Sequence, residues 1–125
     1  ADVATLNEQL APFRILTGIE VDILEDGTLD HPDDVLAGLD VVVASVHNKL
    51  KMPEPEMTAR MVRAVSNPNV DILGHCTGRL IGKRDPSSFD PDAVHLPGIY
   101  VHRIVLNAHP EKRIEKRTIT PKEGV

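Results

Sequence analysis

At 125 residues with 41% hydrophobic content, the chain is long enough for one small domain with a real core. One cysteine, Cys76, excludes an internal disulfide, and no apolar run approaches the roughly 20 residues of a membrane span, so a soluble, cytoplasmic protein is expected. The net charge of −5 is uneven: residues 1–98 hold 8 Lys/Arg against 16 Asp/Glu and residues 99–125 hold 6 against 3, an acidic body that argues against a large non-specific nucleic-acid surface.

Aromatic residues make up only 2% of the chain, so Val, Ile, Leu, Met and Ala must fill the core, which suits buried parallel strands. Val3, Leu6 and Leu10 recur at helical spacing until Pro12 stops them. The N-terminus has no basic region or apolar segment of a signal peptide and does not begin with Met, from which processing or truncation is expected. Residues 14–19 read as a strand running into Glu20-Val21-Asp22-Ile23, and Asp26-Gly27 marks a turn. Pro32 is placed to open a helix to Leu39, with Asp33 and Asp34 favourable at its N-terminal end. Val41–Val46 is apolar on both faces, as expected of a strand in the middle of a parallel sheet. Residues 56–66 place Met57, Met61, Val62 and Val65 on one side of a helix, and 70–73 form a third strand leading to Gly74-His75.

Strand, helix, strand, helix, strand predicts an α/β unit with parallel crossovers. From about residue 84 turn-rich sequence takes over, followed by two extended segments, 99–106 and 113–120. The helical alternation does not return.

Each of the three strands leads into a candidate metal ligand, Glu20, His47 or His75. The carboxyl ends of parallel strands share one face, so the three converge although far apart in sequence. Imidazole plus carboxylate suits Zn, Mn or Fe, metals that activate water for attack on phosphorus. A lone strand-end His is more often a hydrogen-bonded loop residue, and a lone Glu a surface carboxylate; the joint placement favours the metal site. Asp22 and Asp71 read as solvent-facing or capping residues, with Asp22 also able to orient a ligand. Arg79, in the small loop after His75, is a candidate for gripping phosphate, with pairing to a nearby carboxylate equally open. Cys76 reads as a buried inert thiol, and His31, His95, His102 and His109 as solvated side chains.

Gly18-Ile-Glu-Val-Asp-Ile23, Leu39-Asp-Val-Val-Val-Ala-Ser-Val-His47, Met57-Thr-Ala-Arg60 and Asn67-Pro-Asn-Val-Asp-Ile-Leu-Gly-His-Cys-Thr-Gly-Arg-Leu80 resemble the polymerase and histidinol phosphatase (PHP) superfamily, in particular the PHP domain of bacterial family X DNA polymerases. The resemblance covers about residues 1–84. It implies a three-strand portion of a distorted, seven-stranded β/α barrel that holds up to three Mn, Zn or Fe ions. The activity implied is hydrolysis of phosphate esters, including DNA 3′ ends. Carried over by residue, Glu20 is the metal-bridging carboxylate, and His47 and His75 are metal ligands. Cys76 stands where members often carry Pro. The superfamily's His-x-His and Asp-x-His motifs have no counterpart in this sequence, so weak activity or none is expected of the chain alone.

A second resemblance covers about residues 85–120. Asp90-Pro-Asp-Ala-Val-His-Leu-Pro-Gly-Ile-Tyr-Val-His-Arg-Ile-Val105 and Glu111-Lys-Arg-Ile-Glu-Lys-Arg-Thr118 are similar to the C-terminal end of the α subunit of 3-oxoacid CoA-transferases, without its thioester-forming glutamate. The expected organisation is therefore a partial PHP-like metal-binding domain, 1–84, and a CoA-transferase-like tail, 85–125. The rival expectation is a non-catalytic fused or truncated chain that binds a protein partner or a second copy of itself through that tail, and a remnant of a CoA-transferase subunit is a third.

Overall fold

The computed structural model describes residues 2–94 and the backbone of Tyr100 and Val101. In chain order the elements are α1 (Val3–Leu10), β1 (Gly18–Asp22), α2 (Asp33–Ala37), β2 (Val41–Ser45), α3 (Glu54–Val65), β3 (Ile72–Leu73), α4 (Pro91–Val94) and β4 (Tyr100–Val101). The strands form one sheet in the order β1-β2-β3-β4, every neighbouring pair parallel. The α/β class and the three expected parallel strands are thus present, with β2 inside the sheet. A fourth strand of two residues extends it within the segment expected to be extended. The rest of the tail, including the second extended segment, His95, His102 and His109, lies outside the described residues.

Register explains which side chains meet the helices. Val21, Ala44 and Leu73 are partners across three strands and share one face, while Glu20, Val43 and Ile72 share the other. The first face is buried under Leu36 of α2 and Met57, Met61, Ala64 and Val65 of α3. Burying each large side chain of this kind contributes about 1.5–3 kcal/mol. The second face is more open: Val41, Val43 and Ile72 stay half-exposed.

The first strand begins at Gly18, later than the apolar run from Arg14 suggests. Side chains take the backbone groups that a ladder would need. Asn7 both accepts from the Ile15 amide (2.6 Å) and donates to the Ile15 carbonyl (3.0 Å), and Asp40 accepts from the Thr17 amide at 2.9 Å. Glu20 therefore sits in the middle of β1 and not beyond its end.

Helix boundaries differ by smaller margins. Pro32 and Pro53 flank α2 and α3 as the residues before the first turn, and α3 tolerates Pro55 near its start, where the missing amide costs nothing. Helix α4 is an addition to the expected elements. Its signal is in the sequence: the Asp90 carboxylate accepts from the amides of Asp92 (2.9 Å) and Ala93 (3.2 Å), with Pro91 first in the helix. Val94 is buried, and α4 lies against α3.

Candidate metal centre

Glu20 projects from the centre of β1 on the face turned away from the helices, while His47 and His75 each stand two residues past the end of a strand, β2 and β3. Adjacent parallel strands bring all three to one point. His75 Nε2 lies 3.1 Å from Glu20 Oε1, His47 Nε2 lies 3.4 Å from the same oxygen, and the two nitrogens are 3.2 Å apart. The rings are tilted 52° with centroids 4.9 Å apart. The side chains remain open to solvent, at 50% for Glu20, 43% for His47 and 32% for His75.

A divalent cation fits these donors. Bonds of about 2.0–2.2 Å to N and O donors in tetrahedral geometry put donor atoms about 3.3–3.6 Å from one another, and the separations of 3.1, 3.2 and 3.4 Å fall close to that range. The tautomer agrees. His47 Nδ1 contacts Asp22 Oδ1, which assigns the proton to Nδ1 and leaves the Nε2 lone pair facing the cluster. Two imidazole nitrogens this close cannot both present lone pairs without a proton or a cation between them.

Asp22 is held in turn. Its amide donates to Asp30 Oδ1 at 2.9 Å, and the same oxygen meets His31 Nδ1 at 2.9 Å, so His31 is paired as well as partly solvated. Of the roles open to Asp22, contact with a histidine of the cluster is observed, on a side chain that stays 41% exposed. Asp71 instead accepts from the Val42 amide at 3.0 Å, joining the start of β2 to the approach to β3.

The Glu20 carboxyl is held below its ordinary value, first by the Ser45 hydroxyl and then by His75 and His47, with burial opposing. Ser45 Oγ nonetheless lies outside hydrogen-bond geometry with every described residue, so its influence on Glu20 is one of proximity.

Arg60 is not apparent from the sequence beyond its place in a motif. Fully buried on α3, it donates to the Ile23 carbonyl, the Leu24 carbonyl (2.8 Å), the Asn48 carbonyl (3.0 Å) and Asn48 Oδ1 (2.9 Å). One guanidinium thus fixes the loop after Asp22 and the residue after His47. Burial lowers its pKa, with Glu25 and Asp22 opposing. A polar residue at an otherwise apolar helix position is the available signal.

Arg79 does not join the cluster by any contact. It is exposed, without an ion pair among the described residues, on the rim of a shallow depression shared with Lys83, Arg84 and Asp85. Cys76 is buried and outside any disulfide, as expected. A larger cleft of about 450 Å³ beside Gly27, His31, Arg63 and Asn67 includes none of the three cluster residues.

The molecule is thus a parallel α/β sheet with a Glu/His/His donor group able to hold a metal ion, Glu20 from within β1 and His47 and His75 just past the ends of β2 and β3. The chain is 44% identical over 118 residues to the DNA polymerase/3'-5' exonuclease PolX of Bacillus subtilis (strain 168), covering 94% of this chain and 20% of that protein. It is 38% identical over 78 residues to a probable phosphatase of Thermoanaerobacter sp. (strain X514), covering 59% of this chain and 32% of the relative. It is also 75% identical over 32 residues to one of the subunits of the succinyl-CoA:3-ketoacid coenzyme A transferase of Xanthomonas campestris pv. campestris (strain B100), covering 26% of this chain and 13% of that relative. No protein-family model matches.

The resemblance to PHP-type family X polymerases is therefore shown, as is a CoA-transferase-like C-terminal end. The chain spans only 20% and 32% of the polymerase and phosphatase relatives. Matches covering 94% and 26% of one chain must overlap, so part of the tail aligns with both kinds of relative.

Proposed function

We propose that the chain carries part of the metal-binding face of a PHP-type phosphoesterase, with Glu20, His47 and His75 as ligands and catalytic residues. The observation that carries this is the donor spacing of 3.1, 3.2 and 3.4 Å among residues brought together by three neighbouring parallel strands. Mn, Zn or Fe bound there supplies a Lewis acid and an activated water. The chain's own residues do the rest: Glu20 presents one oxygen to both imidazoles, Asp22 holds the His47 ring, and Arg79 grips a phosphate oxygen of the substrate.

The substrate we propose is a phosphate ester, either a DNA 3′ end or a small monoester; the relatives named exonuclease and phosphatase support both. Three ligands make a partial set, so hydrolysis by this chain alone is slow unless further ligands come from other sequence or a partner chain. Among the described residues no helix is long and apolar enough to cross a membrane. The setting we propose is the cytoplasm, in keeping with a single cysteine held as a buried thiol.

The test is titration with Mn²⁺ and Zn²⁺ by calorimetry, alongside hydrolysis of a phosphomonoester and of single-stranded DNA 3′ ends. Glu20→Ala and His47→Ala are expected to abolish metal binding. Unchanged binding in both variants would sink the reading.

A second reading is favoured by the match to a coenzyme A transferase. In it the tail, with the basic stretch Lys112-Arg113-Ile114-Glu115-Lys116-Arg117, pairs the chain with a protein partner or a second copy, and no catalysis is performed. The division we propose at residue 84 is common to both readings, with a partial metal-binding domain before it and the tail after it. The first part of the tail packs on what precedes it: buried Ser87 donates to the Leu50 carbonyl at 2.8 Å and Val94 is buried.

A further inference from the structure

Ser45 ends β2 and is completely buried, yet its hydroxyl has no hydrogen-bond partner among the described residues. Buried hydroxyls nearly always have one, so an orphan at this depth marks a site whose partner is still to be positioned. Its location is specific. The register sets Ser45 opposite Asp22, two residues along from the Glu20–Val43 pair, and therefore on the face that carries Glu20.

Gly74, immediately before His75, closes the other side. A Cβ there would collide with Ser45 Oγ and lie 3.0 Å from Val43 Cγ1. Gly74 has no positive φ, so the close approach alone demands glycine. Its amide is fixed by donation to the Ala44 carbonyl at 2.8 Å, so the backbone cannot easily retreat. Two features thus serve one hydroxyl: a strand position that buries it and a glycine that leaves it room.

Glu20 has the complementary need. Its Oε1 faces both imidazoles, and its Oε2 meets neither of them. A carboxylate with one oxygen committed to a cation is a strong acceptor at the other, and a neutral hydroxyl donor beside it fixes the carboxylate plane.

We propose that Ser45 is a positioning residue of this centre: when Glu20 Oε1 holds a cation, the Ser45 hydroxyl donates to Oε2, in space kept open by Gly74. The proposal rests on the metal reading above. It has an unusual signature. Without metal the hydroxyl makes no hydrogen bond, so removing it is expected to cost the fold little; with metal, removal frees the Glu20 carboxylate.

The experiment measures Mn²⁺ and Zn²⁺ affinity of the full chain by calorimetry, and melting temperature in chelator, for wild type, Ser45→Ala and Ser45→Thr. Ser45→Ala is expected to weaken metal affinity about 10- to 100-fold with little fall in the metal-free melting temperature, and Ser45→Thr, which keeps the hydroxyl, to recover most of the affinity. Equal affinity of wild type and Ser45→Ala overturns the role of Ser45 alone. So does a metal-free melting temperature that falls in step with affinity, because that is the mark of a packing role. An absence of metal binding by wild type overturns the metal reading and this inference with it.

Discussion

His47 stands two residues beyond its strand, where nothing in the sheet ladder fixes a ring, and the Asp22 carboxylate supplies the orientation that the backbone does not. Asp22→Ala is expected to weaken Zn²⁺ binding about 10- to 100-fold, while His47 stays in place as a ligand. Calorimetry separates this graded loss from the complete loss in His47→Ala. The sequence offered Asp22, and not Asp71, as able to orient a ligand, but left a solvent-facing or capping role open for both. Only register, which sets Asp22 opposite Ser45, decides which carboxylate comes near His47. A second carboxylate acts on the fold. Asp40 is held below its ordinary pKa of 3.8 by the Thr17 amide and hydroxyl, with Arg14 also contributing. A depressed folded-state pKa means stability that is present above the unfolded value and lost as pH falls through the folded one. The melting-temperature difference between wild type and Asp40→Asn is therefore expected to be constant from pH 7 to 5, to shrink once pH falls below about 3.8, and to level off only below the depressed folded-state value.

At the scale of elements, α3 does more than cover the sheet. Met57, Met61 and Val65 of its apolar stripe were legible from periodicity alone, because burial on one helix face imposes that spacing, whereas Val62, expected beside them, is only partly buried and Ala64 takes the buried place. Arg60, in the same buried surface, was not legible as a brace. A sequence does not reveal that the carbonyls of Ile23, Leu24 and Asn48 turn inward and require a donor. Arg60→Ala leaves these acceptors buried without a partner and is expected to cost about 3 kcal/mol of stability by urea denaturation. Arg60→Lys should restore only part of it, since an ammonium cannot reproduce the planar fork. Gly27, at φ +84°, is the counterpart on the loop: a Cβ would lie 2.7 Å from the Arg60 carbonyl and 2.9 Å from Arg63 Cβ. The Asp-Gly pair announced a turn, but not that the turn is pressed against a helix.

For the whole molecule, the sequence conveyed the class and strand order, because alternating apolar strands and amphipathic helices leave few other arrangements. It placed the start of β1 too early, since apolar residues such as Leu16, 56% exposed, look like strand residues until side chains claim their backbone. Packing also refines how the tail is tested. Because Ser87 and Val94 are buried, a truncation for size-exclusion chromatography belongs after residue 94 rather than after 84. If the tail drives pairing, the full chain elutes as a complex and the 1–94 chain as a monomer; identical elution rejects that role.

The cluster joins residues 55 positions apart, Glu20 and His75, through His47, which is 28 from His75. An ion seated there is a reversible clasp across two long chain loops, formed in the folded chain and absent from the unfolded one. Folding free energy then follows the logarithm of the free ion concentration, gaining about 2.7 kcal/mol at a hundredfold excess over the dissociation constant. A thermal melt repeated across decades of Mn²⁺ is expected to climb in even steps. For a domain of this size the sheet would thereby act as a gauge of the metal supply around it.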